Sequence, residues 1–185
     1  MATLRERLGG YKYVKPSFVS RSGLAYHQTE VFTERCLRMC LWTYNKLESM
    51  DQTASLIREL MVYLLREYHN YCIRENIGAH YREVGLSTKT RTEFEHVIPV
   101  AIIRDLLIHG KISINEALNV PTCTLSKKNH TKLSKNKLGS DTPDVNNFWK
   151  RYQQVLTLEI ETHDGTKVNM DTWDLDMHFK YFDIK

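Results

Sequence analysis

The four cysteines, Cys36, Cys40, Cys72 and Cys123, contain no Cys-x-x-Cys pair, which excludes a zinc ribbon and a thioredoxin-type redox site. Cys36 and Cys40 share a helix face, but small core residues are the simpler reading, and all four are expected to be reduced. No apolar run approaches the roughly 20 residues needed to cross a bilayer. The opening MATLRERLGG also lacks the apolar core of a secretion signal. A cytoplasmic protein without membrane attachment is therefore expected. Charge of one sign is not in large excess: 26 basic against 22 acidic residues leave +4, so the placement of charge carries more information than its total. With 185 residues, 42% hydrophobic and 26% charged, the chain can bury a hydrophobic centre without disulfides.

Periodicity places the secondary structure. Apolar residues Val31, Phe32, Cys36, Met39, Cys40, Thr43 and Leu47 recur near helical spacing over 28–49. Asp51 is an N-cap for a second helix, with Leu56, Leu60, Tyr63, Leu64, Tyr68 and Tyr71 expected on one face and Gly78 as its stop. The pair reads as an antiparallel hairpin. His69 and His80 are expected at the surface or at helix ends. VAIIRDLLIHG is a short amphipathic helix closed by His109 and Gly110, and Ser113 with Glu116 forms a capping box for another. VLTLEIETH, the Asp164-Gly165 turn and KVNM read as a β-hairpin. The acidic aromatic tail DTWDLDMHFKYFDIK is read as either a further strand or a partner-binding segment. The fold class expected is α+β. Residues 1–80 form a basic arm and helical hairpin, 81–140 a catalytic centre and 141–185 a β-hairpin with the tail, packed as one compact unit.

The rest is organised around residues 90–137. TRTEFEHVI reads as a strand, and Pro99 prevents a helix from running through Glu95 and His96. CTL, from Cys123, reads as a second strand, followed by Ser126 as N-cap of a polar helix bearing Asn129 and His130. Adjacent strand residues point to opposite faces, so Glu95 and His96 converge only where the strand ends or twists.

Glu95-His96-Val-Ile-Pro, followed by a strand and a helix with Asn129-His130, resembles the His-Asn-His, or ββα-metal, nuclease family over about a quarter of the chain. The resemblance implies a metal-dependent endonuclease of phage or mobile-element type. Glu95 and His130 would be metal ligands, with Asn129 competing for the helix position, and His96 would be the general base. The middle asparagine that orients this base would be Asn119, with Asn115 the alternative. The implied cofactor is Mg2+ or Mn2+, hard ions that suit a carboxylate and neutralise charge on a phosphodiester. A neutral histidine, with an ordinary pKa of about 6.5, can take a proton from water near neutrality.

Lys127, Lys128, Lys132, Lys135 and Lys137 surround His130 and are candidates for nucleic-acid phosphates, whereas acids gather beyond Glu159. The resemblance favours DNA over RNA. Two other readings use the same residues. One is a non-catalytic nucleic-acid-binding protein using the lysine helix and the basic aromatic arm at 1–25. The other is a protein-interaction module or inhibitor that meets a basic partner through the acidic tail.

Overall fold

The computed structural model describes residues 26–47, 52–74 and 78–184. The basic aromatic arm and the Asp51 cap lie outside the described residues. Helix α1 spans Tyr26–Tyr44 and α2 spans Gln52–Arg74, and the two pack along each other. Thr33, Leu37 and Cys40 face inward from α1, and Ala54, Ile57, Met61, Leu65 and Tyr68 from α2, with the three- and four-residue spacing of one helix face. This corrects the expected faces: Phe32, Met39, Leu56, Leu60 and Tyr63 are exposed. Each helix carries apolar residues on more than one side, so spacing alone does not choose the side that meets the body.

Five strands form one mixed sheet: β1 Tyr81–Glu83, β2 Thr92–His96, β3 Thr122–Ser126, β4 Ile160–Thr162 and β5 Lys167–Val168, in the order β2-β3-β1-β4-β5. β1 runs parallel to β3, and the other pairings are antiparallel. β2 is thus an edge strand. Between β2 and β3 lie α3 (Val100–Ile108), ending at His109 and Gly110, and α4 (Ile114–Leu118), which opens on the Ser113–Glu116 capping box. β3 passes directly into α5 (Lys127–Lys135), where Ser126 Oγ accepts from the Asn129 amide. Strand, antiparallel strand and helix therefore follow one another in ββα order, interrupted by two short helices.

After a loop come α6 (Lys150–Gln153), the β4–β5 hairpin, in which Gly165 takes φ 93, and α7 (Leu175–Tyr181). The tail is a helix rather than a strand: Asp174 caps it, and Leu175, Phe179 and Phe182 are buried at three- and four-residue spacing. The architecture is α+β, with helices and strands around a single core cluster that runs from Leu37 and Met61 through Trp149 and Tyr152 to Phe182.

Two buried histidines satisfy the carbonyls at the end of α4, which lack partners within that short helix. His69 Nε2 lies 3.0 Å from Leu118 O, and His178 Nε2 lies 2.8 Å from Asn119 O. His178 Nδ1 meets Tyr81 Oη at 2.7 Å, and the same phenol accepts from Trp173 Nε1 at 2.8 Å. His69 and His80 are both buried, against the expectation of surface or helix-end positions: His69 bonds the Leu118 carbonyl, and His80, just before β1, lies 2.8 Å from Thr122 Oγ1 through Nδ1.

Candidate functional site at the end of β2

The antiparallel register pairs Glu95 with Cys123 and His96 with Thr122. Strand alternation sends the two side chains to opposite faces, and each enters a different network. On the face covered by α5, Glu95 Oε2 is 3.0 Å from His130 Nε2, on the helix that begins where β3 ends. Its other oxygen, Oε1, accepts from Arg151, a residue of α6 that is fully buried. Arg151 also donates to the carbonyls of Val97 (2.9 Å) and His96 (3.2 Å), so it fastens both the carboxylate and the chain leaving β2. Burial pushes the Glu95 carboxyl above its usual range, while Arg151 and His130 favour the charged form. The carboxylate thus gives one oxygen to each partner, Oε1 to Arg151 and Oε2 to His130.

Asn129 meets a different carboxylate from His130. Its Nδ2 donates to Glu83 Oε1 at 2.9 Å, and Glu83 also accepts from the Ser126 amide (2.8 Å) and Ser126 Oγ (3.2 Å). This carboxylate on β1 holds the N-terminus of α5, where partial positive charge favours an anion. Asn129 thus positions the helix. It is adjacent to His130 in sequence, but a helix turns about 100° per residue, so neighbouring side chains diverge.

On the other face, His96 Nε2 lies 2.9 Å from His69 Nδ1. These contacts define the tautomers. Leu118 O only accepts, so His69 Nε2 carries the proton and Nδ1 of that neutral ring is the acceptor. His96 Nε2 must then donate, leaving His96 Nδ1 as the basic nitrogen. Burial lowers the His69 pKa to about 4 and that of His96 well below its ordinary value, so both rings are neutral near pH 7. His69, rather than an asparagine, therefore holds the His96 ring. Asn119 caps α4 and donates Nδ2 to Asn115 O (2.8 Å) and Oδ1 (3.1 Å), which engages both proposed middle asparagines locally.

The five lysines lie on or just beyond α5, which buries only Leu133. Lys127 approaches Glu93 at 3.5 Å, and Lys128, Lys132, Lys135 and Lys137 are exposed. Lys137 has φ 60, a left-handed conformation, immediately after the C-cap Asn136. The sequence reading missed Arg151 and His69. Neither lies near a recognisable motif, and both reach β2 only through long-range packing.

Glu95 Oε2 and His130 Nε2 fit a hard divalent ion as a two-donor set. Donors at about 2.1 Å in neighbouring octahedral positions are about 3 Å apart, and magnesium commonly takes one or two protein ligands with water and phosphate completing its shell. Among the described residues, no group of three or more His, Cys, Asp or Glu is placed to hold a metal ion. No described helix is long and apolar enough to cross a membrane. Compared with family models, curated proteins and solved structures, the chain finds no match.

Proposed function

We propose that the β2–β3–α5 unit is a metal-dependent endonuclease centre that hydrolyses DNA phosphodiester bonds. The observation that carries this reading is the Glu95–His130 pair, delivered at 3.0 Å by a strand and by the helix that follows its antiparallel neighbour. When bound, Mg2+ or Mn2+ would neutralise charge on the phosphate and stabilise the leaving oxygen. Glu95 and His130 would hold the ion, and Arg151 would keep the carboxylate in place. Lys128, Lys132 and Lys135 would meet flanking phosphates without reading sequence. His96 is assigned the base through Nδ1, at the point where the edge strand ends.

A second reading, a nucleic-acid-binding protein without catalysis, is favoured by one observation: His96 leaves β2 on the face opposite Glu95 and is tied to His69. The two readings separate in a cleavage assay on supercoiled plasmid and single-stranded DNA with Mg2+, Mn2+ or chelator. The nuclease reading expects cutting that requires metal, falls at least 100-fold in His130→Ala and His96→Ala, and leaves DNA binding intact. Salt-sensitive binding with no cutting under either ion would instead establish the binding protein.

A further inference from the structure

Away from β2, the outward side of the helical hairpin presents large side chains that the fold leaves uncovered. Phe32 and Trp42 of α1 are 64% and 67% exposed, and Tyr63 of α2 is 60% exposed. Rings this exposed mark a face that burial by a partner would stabilise. On α1 the positions run Phe32, Arg35, Met39 and Trp42, with the three- and four-residue steps of a single face, over about 15 Å between Phe32 and Trp42, and Lys46 follows in the turn after the helix. Arg35, Arg38 and Lys46 are the charged residues described as exposed on this segment, and all are cationic. Arg38 is paired with Glu34 at 2.6 Å, and no ion pair engages Arg35 or Lys46 among the described residues. On α2, Arg66 offsets Glu59.

Exposed aromatic rings alternating with cations match a ligand that offers flat π faces and negative charge at short intervals. A purely apolar partner would leave Arg35 desolvated without a counter-charge. We propose that this face is a stacking platform for single-stranded nucleic acid, with Trp42 and Phe32 under the bases and Arg35 and Lys46 on the phosphates. The proposal is independent of chemistry at Glu95, since it needs no metal.

Trp42 offers a direct readout. Of the three tryptophans, Trp149 and Trp173 are 0% and 8% exposed, so a ligand at the surface reaches Trp42 alone. A short oligo(dT) strand is titrated into the full chain in chelator, with tryptophan emission and anisotropy of the labelled strand followed together. The expected result is quenching of emission and an affinity that falls about 5- to 100-fold in Trp42→Leu, the effect of losing one base–ring stack. Arg35→Ala should reduce the salt dependence of binding, and circular dichroism confirms that both variants remain helical. Absence of quenching, or unchanged affinity in Trp42→Leu, would overturn the proposal even if the α5 lysines bind the strand. Self-association abolished by Trp42→Leu, without oligo(dT) binding, would assign the face to a second copy of the chain instead.

Discussion

The two faces of β2 solve one electrostatic problem in opposite ways. Glu95 and His96 are consecutive, and each sends a polar group into packed surroundings. On one side Arg151 lies against Oε1 and His130 against Oε2, and both favour the charged form of a carboxyl that burial pushes upward. On the other the group stays neutral, because a Leu118 carbonyl acting through His69 supplies a hydrogen bond that a neutral ring satisfies. The Glu95 side retains a partly exposed member, His130, with 32% of its side chain accessible, which is where a ligand is proposed to enter. The neutral side is built to hold a geometry. Two adjacent residues thus enter separate networks, one through Arg151 and His130 and the other through His69.

The largest break in this contrast is on the Glu95 side. Arg151→Ala leaves the Glu95 carboxylate buried without its cation and removes the partner of the Val97 and His96 carbonyls. Loss of one member of a buried pair costs roughly 3–5 kcal/mol, so urea denaturation should show a severe loss of stability. A double variant, Arg151→Met with Glu95→Leu, should recover much of it, since removing both charges also removes their desolvation.

The neutral side breaks with acid. Below about pH 6.5 the unfolded chain binds protons that the folded chain refuses, because the His69 and His178 pKa values are lowered to about 4 and about 3 by burial. Stability is therefore full above about pH 6.5 and falls as pH drops through that value toward 4. His69 alone accounts for about 3 kcal/mol across this window. His69→Gln keeps a donor for Leu118 and an acceptor for His96 but does not titrate, so it should flatten the acid limb while preserving the neutral-pH fold. A smaller effect sharpens the tautomer assignment. Nitrogen chemical shifts of His96 should show the proton on Nε2 in the native protein and in His69→Gln, and a mixture of tautomers in His69→Ala.

The smallest effect concerns the helix that carries His130. Lys137 occupies a left-handed conformation that glycine adopts without penalty, at φ 60. Lys137→Gly should stabilise the protein by about 1 kcal/mol, measured by thermal unfolding, while weakening DNA binding if this lysine meets phosphate.

The parts of this architecture legible in the sequence are those specified by neighbours. Ser113 with Glu116, His109 with Gly110, and Ser126 ahead of α5 are local signals, and each marks the helix end it is expected to mark. The two strands and the Glu95–His130 candidates follow from the same short-range reading. The tail shows a limit of such reading: interleaved acids and aromatics leave a strand and a partner-binding segment both open, yet Leu175, Phe179 and Phe182 carry helical spacing behind the Asp174 cap. The helical hairpin shows another limit, since apolar residues on several sides leave the buried face to be chosen by the body it packs against. Arg151 and His69 were out of reach for a different reason. Their roles arise 56 and 27 residues away from their partners on β2, through packing that no local pattern encodes.

Glu95 and His130 are proposed to hold a divalent ion together, and Mn2+ tests this without requiring activity. Paramagnetic broadening of the histidine ring resonances is followed as Mn2+ is added to the native chain and to Glu95→Gln. The expected result is selective broadening of His130 at substoichiometric Mn2+, with His178 sharp, and loss of the effect in the variant. Broadening that spares His130, or that persists unchanged in Glu95→Gln, would contradict the account.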